Sequence, residues 1–285
     1  MRSARPLDSD SPVQSAGAPP RGAPVLTFLA VLAAVAVIIV LGTTIASPSE
    51  KLAVLVYHHI EDPATSDVSC TPEQFEAQMS ALLANGFTPV RLDEARAFLE
   101  GRRGRVKKPV LITFDDGYES LHRHALPVAR KLGVPMTVFV VTSRIGLKPQ
   151  FARYLSRDQI REMAASGLFE FGSHTDDLHT DVMRIWNAFD PAPVSLASAV
   201  ASDLERSRKT LAEIVGTPPF TIAWPYGKFN RDTTRIALDA GMNLHFTSRS
   251  GFSSPGDNLL EIKRVPVTRR DTPQTVVRKA RGGWL

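Results

Sequence analysis

From residue 51 onward, short apolar runs alternate with amphipathic segments, and each change of period falls at a glycine, a proline or a capping residue. Leu52-Ala53-Val54-Leu55-Val56-Tyr57 is the first extended run. Thr71 then caps a helix, with Pro72 at its first position and Gln74 closing a capping box. Phe75, Met79, Leu82 and Leu83 form its apolar stripe, and Gly86 ends it. A strand over 110–114 follows, then a helix from about Tyr118 to Leu132 stopped by Gly133, then a strand from Met136 to Val141. Ser156 to Gln159 opens a helix with the same capping chemistry, ended by Gly167, and Leu168-Phe169-Glu170-Phe171 is the strand behind it. The pattern continues with a helix over 200–215, a strand over 220–224, a helix over 230–240, a strand over 244–247 and a last strand over 262–267. Strands alternating with helices predict a parallel sheet, open or closed into a barrel. No polar linker divides the series, so residues 51–285 form one domain of roughly 235 residues, a usual size for an α/β barrel. Residues 180–199 show no helical period and carry Trp186 and two prolines; a loop over the site is expected there.

The N-terminus breaks this pattern. Residues 1–24 are rich in Ser, Pro, Ala and Gly and are expected to be disordered. Residues 25–46 run for 22 positions without a charge. At about 1.5 Å per residue such a helix spans a hydrocarbon core of roughly 30 Å. A signal-peptide core is about 7–15 residues, so an uncleaved transmembrane anchor is favoured, with Thr44-Ile45-Ala46 as a weak cleavage site that would release a secreted domain. Arg2, Arg5 and Arg21 precede the span and place the domain outside the cytoplasm, on a single-pass cell-membrane protein.

Composition narrows the chemistry a little. The single cysteine, Cys70, excludes an internal disulfide and is expected to pack as a small apolar residue. The net charge of +5 is mild, and the one basic run, residues 102–108, has no interleaved aromatics. A nucleic-acid partner is therefore not expected.

Two places carry chemistry. Thr113-Phe114-Asp115-Asp116-Gly117-Tyr118 delivers two carboxylates at the end of a strand, and Gly172-Ser173-His174-Thr175-Asp176-Asp177-Leu178-His179 delivers two imidazoles at the end of another. Active sites of parallel α/β folds are built at that edge. One carboxylate with two imidazoles is the ligand set of an open catalytic metal site. Adjacent side chains point apart, so Asp116 is assigned to the metal with His174 and His179, and Asp115 acts as general base. The set suits Zn first, while Co, Ni or Fe would also be held. His174 and His179 are five apart and must lie on a loop that turns back. Asp176 and Asp177 either support them or face solvent.

With these motifs the chain resembles the polysaccharide deacetylases, the NodB-like carbohydrate esterases. Thr113-Phe114-Asp115-Asp116-Gly117 is similar to that family's first motif, in which the first Asp is base and the second binds metal. The family's His-Ser/Thr-x-x-His is two residues longer here, a spacing similar to the branch acting on poly-β-1,6-N-acetylglucosamine of biofilm matrices. Val56-Tyr57-His58-His59 and Ala223-Trp224-Pro225-Tyr226-Gly227 resemble the same branch. The resemblance covers roughly residues 51–268 and implies a distorted (β/α) barrel of about seven parallel strands. It also implies a metal-dependent N-deacetylase whose partners are a polysaccharide and, as separate proteins, polysaccharide synthesis or export components. Chitin oligomers or peptidoglycan would fit the same chemistry, and a non-catalytic polysaccharide-binding relative is the other alternative. The resemblance assigns the acid to His58, with His59 as rival and His245 as third candidate; His122 and His124 read as exposed helix residues. It implies an oxyanion donor in the Tyr226 backbone N–H. The family's base-orienting Arg is replaced by Ala223 or Trp224, which leaves Arg264 as the candidate to supply that charge, with a surface position as the alternative.

Overall fold

The computed structural model describes residues 51–102, 106–149, 152–179 and 194–283. The expected tail (1–24), the expected span (25–46) and most of the expected loop (180–193) lie outside the described residues. Among the described residues no helix is long and apolar enough to cross a membrane.

Seven strands make the frame: β1 (Ala53–Tyr57), β2 (Pro109–Phe114), β3 (Met136–Val140), β4 (Phe169–Ser173), β5 (Thr221–Ala223), β6 (Leu244–Ser250) and β7 (Ile262–Pro266). Each pairs in parallel with its successor, and β1 pairs with both β2 and β7, so the sheet closes into a barrel. The longest registers run from Ala53↔Val110 to Tyr57↔Phe114 and from Met136↔Phe169 to Val140↔Ser173. The β4–β5 joint has a single register pair, Ser173↔Ile222, and the β6–β7 register shifts between Ile262 and Arg264. These thin and slipped joints make the barrel irregular.

The strands read as unbroken apolar runs because both faces are buried. Ala53, Leu55 and Tyr57 turn outward to the helices, while Leu52 and Val54 turn into the barrel with Leu111, Phe139 and Phe246. The outer helices are α1 (Pro72–Ala84), α2 (Leu92–Leu99), α3 (Leu126–Leu132), α4 (Arg157–Ala165), α5 (Val194–Val215), α6 (Arg231–Asp239) and α7 (Pro273–Arg281). The capping boxes at Thr71 and Ser156 form as expected. Cys70 is buried, and burial pushes its thiol up to about 12. Gly172 admits the Phe139 ring; a Cβ there would sit 2.6 Å from it.

Several elements differ from the sequence expectation. Helix α5 begins at Val194, so the last part of the expected loop is helical. A π-turn, Leu121–Ala125, leads into α3. Helices α2 and α7 are additions: at the start of α2 Glu94 Oε2 accepts from the Arg91 N–H at 2.9 Å, and the helix packs Leu92, Ala95, Phe98 and Leu99 against the residues that fill the barrel.

Candidate active site

The end of β2 is bound to β1, since Asp115 N–H donates to Tyr57 O at 3.0 Å. Asp116 then takes φ 70° and Gly117 φ 77°, a tight left-handed turn that Asp tolerates better than most residues. A Cβ on Gly117 would lie 3.2 Å from Val140. The end of β4 is tied in the same way, His174 N–H donating to Val140 O at 2.9 Å. Thr175, at φ 71°, turns the chain back and brings His179 to the same place. Four non-glycine residues have positive φ among the described residues, and three of them, Asp116, Thr175 and Tyr226, stand around this cleft. Strain of that kind persists where the surroundings hold it and concentrates at functional sites.

One ligand atom from each of Asp116, His174 and His179 lies within 4.8 Å of the others. Asp116 Oδ1 is 3.1 Å from His179 Nε2 and 3.8 Å from His174 Nε2. That oxygen is buried without a hydrogen-bond partner, a state a cation would relieve. The His174 Nδ1–H donates to Ala223 O at 2.6 Å, which leaves Nε2 as a lone pair facing the other two ligands. Burial holds His174 below the usual imidazole range despite Asp115 and Asp116, favouring the neutral ring a ligand requires. Burial alone would raise Asp116, but contact with His179 and the charges of His174 and His58 bring its carboxyl well below the usual range. These residues fit a divalent metal.

Asp115 faces the same cleft and is gripped by Arg264, Nη1 to Oδ1 at 2.7 Å and Nη2 to Oδ2 at 2.8 Å. Burial would raise this carboxyl too; the Arg264 guanidinium, His174 and His58 outweigh it and keep it ionised. Arg264 is 3% exposed, so it is not a surface residue. His58 Nε2 stands 4.0 Å from Asp115 Oδ2. His59 points the other way, to Glu61 at 3.1 Å and the Tyr118 ring at 4.8 Å. It lines a separate cleft of about 630 Å³ with Glu119, Arg123, His124 and Arg153. His122 and His124 are half-buried rather than exposed, His122 pairing with Glu162 at 2.7 Å. His245 is buried in the barrel wall: its Nδ1 accepts from Trp224 Nε1 at 3.3 Å and its Nε2 faces Met242 O at 2.9 Å.

The site cleft holds about 390 Å³ and is bounded by His58, Val68, Tyr226, Gly227, Ser248 and Pro266 around the acidic and imidazole groups. Trp224 is fully buried, whereas Tyr226 is 56% exposed at the rim, its ring 4.8 Å from that of His179. Gly227 has φ 64°, and a Cβ there would strike Ser248. Sequence reasoning passed over Tyr118, Tyr154 and Arg144. Tyr118 and Tyr154 stack at 5.2 Å, and Arg144 Nη1–H donates to Tyr154 Oη at 3.2 Å while Nη2 lies 3.5 Å from His179 Nδ1. Their only sequence mark is position after β2 and β3.

Residues 102–245 match the family described as polysaccharide deacetylase. The structure of IcaB from Ammonifex degensii is similar at 34% identity and TM-score 0.71, over 81% of this chain and 97% of that one. Bacillus subtilis (strain 168) YxkH is 30% identical over 218 residues, 76% of this chain and 72% of its own length. The poly-β-1,6-N-acetyl-D-glucosamine N-deacetylase of Staphylococcus aureus (strain MSSA476) is 27% identical over 220 residues, 75% of this chain and 72% of that protein.

Proposed function

The chain belongs to the polysaccharide deacetylase family, and from that premise we propose that it is a metal-dependent N-deacetylase of an extracytoplasmic, β-1,6-linked N-acetylglucosamine polymer. The observation that carries the reading is the cleft itself: an ionised, fixed carboxylate and an imidazole face a separate three-residue ligand set. Similarity to a poly-β-1,6-N-acetyl-D-glucosamine N-deacetylase across three quarters of the chain supports the choice of linkage. The uncharged segment 25–46 supports a membrane-anchored protein with its domain outside.

Hydrolysis of the acetamide needs a base for the attacking water, stabilisation of charge on the carbonyl oxygen, and an acid for the leaving nitrogen. Asp116, His174 and His179 would hold the metal, with Zn the best match to the donor set. When bound, it supplies Lewis-acid chemistry, making water more acidic and drawing charge from the carbonyl oxygen. Asp115 accepts the water proton, its lone pairs directed by the Arg264 fork. The Tyr226 backbone N–H is the donor proposed for the developing oxyanion. His58 protonates the nitrogen as the C–N bond breaks, giving acetate and a free amine.

The test is acetate release by the full chain, purified in detergent, from β-1,6- and β-1,4-linked N-acetylglucosamine oligomers with and without chelator. Release from β-1,6 oligomers that chelation stops and Zn²⁺ restores is the expected result. Preference for β-1,4 oligomers would move the substrate to chitin-like polymers. No release from either, with metal bound, would sink the deacetylase reading.

A further inference from the structure

The metal-ligand loop is longer than the motif it resembles, and the structure shows what holds the extra length. His174 is fixed at the end of β4 by Val140 O and Ala223 O. Among the described residues His179 has no comparable strand beneath it. Between them Thr175, Asp176, Asp177 and Leu178 run over the barrel rim with Thr175 in the left-handed region. Asp176 N–H and Asp177 N–H are consecutive amides aimed at one carboxylate, that of Asp203 on α5. They donate to Oδ1 and Oδ2, each at 2.8 Å. Asp203 is 1% exposed.

The surrounding contacts brace this arrangement from both sides. Arg206, one turn further along α5, reaches Asp176 Oδ2 at 2.8 Å and Asp203 Oδ2 at 3.4 Å. From the turn after β3, Thr142 Oγ1–H donates to Asp176 Oδ1 at 2.6 Å and Ser143 N–H to Asp176 O at 3.1 Å. Leu178 is buried in the cluster that contains Val200 and Leu204 of α5. Of these groups, Asp203 alone receives two adjacent backbone amides, so it sets the path of the main chain rather than the orientation of one side chain. Two consecutive donors sharing one buried anion form a rigid joint, and the loss of that anion removes the acceptor of both amides at once.

We propose that Asp203 is a positioning residue for the metal site: through the Asp176 and Asp177 amides it fixes the separation of His174 and His179. The inference rests on the proposed metal-dependent reading, since it concerns how those two imidazoles are presented. Asp203 touches neither ligand and acts only through the loop.

The experiment is Co²⁺ binding to the full chain in detergent, comparing wild type, Asp203→Asn and Asp203→Glu. Titration gives the affinity, the visible absorption band reports the coordination geometry, and the thermal midpoint of the metal-free protein reports the fold. Asp203→Asn keeps the size but turns a donor toward one amide. Expected are an affinity about 10- to 100-fold weaker and an altered absorption band, while the metal-free protein stays folded. Asp203→Glu keeps the charge and both oxygens but moves them outward by one carbon, and should fall between the other two. Should the Asn variant not fold, the Glu variant decides alone: weakened binding supports the proposal and wild-type binding overturns it. Wild-type affinity and band in Asp203→Asn would overturn the proposal while leaving the deacetylase reading intact. A wild-type chain that binds neither Co²⁺ nor Zn²⁺ would overturn both.

Discussion

Arg264 holds both carboxylate oxygens of Asp115 in a fork, at 2.7 and 2.8 Å, with both side chains buried and the Arg264 Nε–H anchored on Thr247 O at 2.8 Å. A planar guanidinium does this and an ammonium cannot. Removing it leaves a buried carboxylate without its counter-charge. Arg264→Met is therefore expected to lose about 3–5 kcal/mol of stability and to raise the Asp115 pKa, with burial then unopposed by the nearest cation. Arg264→Lys should recover part of the stability and less of the turnover. Denaturant unfolding with acetate release checks both; a Met variant as stable as wild type would contradict the grip.

Asp115 and Asp116 are neighbours for which separate tasks are proposed. Asp115→Asn is expected to cut turnover by about 10²–10⁴ while metal is still bound, since the ligand set stays whole. Asp116→Asn should lose metal affinity first. Metal content after dialysis, measured beside turnover, separates the two; loss of metal from both variants would argue against the assignment.

His58 and His59 point to opposite sides of the chain, as adjacent extended residues do. His58→Gln should lower turnover by about 10² or more, and His59→Gln by no more than a few-fold. The reverse order would transfer the acid to the other cleft.

Glu170 gives a pH signature away from the cleft. Burial pushes its carboxyl up, although the Leu92 N–H at 2.8 Å and Arg91 favour the charged form. The folded value thus lies above the unfolded value of about 4.3, so ionising Glu170 costs stability as pH rises from there through the raised folded value. Glu170→Gln keeps an acceptor for Leu92 N–H and removes that cost. Its stability relative to wild type should rise as pH climbs from about 4.3 through the raised folded value, measured by urea unfolding. Parallel curves for the two proteins would rule this out.

Much of this was readable from the chain because the relevant forces are local. Val110-Leu111-Ile112 announces a strand buried on both faces, and Thr71 with Gln74 announces a helix start; both formed within a residue or two. The ligand residues were visible because their strands end where Asp-Asp-Gly and Ser-His-Thr begin. Helix α2 was missed because Leu92–Leu99 is short and its cap position is Arg91 rather than a Ser, Thr, Asp or Asn, leaving Glu94 as the one capping signal. Helix α7 was missed although Thr272-Pro273 and Gly282 bracket it. Exposed Lys263 beside buried Arg264 carries the strand alternation that points Arg264 inward. Asp203 had no such mark: its partners are 26 and 27 positions away, joined only by tertiary folding.

The closing joint of the barrel has a consequence for where function can enter the chain. Asp115 and Arg264 are 149 positions apart, yet their strands, β2 and β7, flank the single strand β1, which ends at Tyr57 just before His58. The proposed base, the proposed acid and the guanidinium thus occupy one neighbourhood astride the seam, and His174 and His179 stand further round the circle. A circle has no first member. An arginine can serve the same oxygen pair from a different point in the linear order, provided its strand stands beside that seam. Address on the ring, rather than address in the chain, is what such a site depends on.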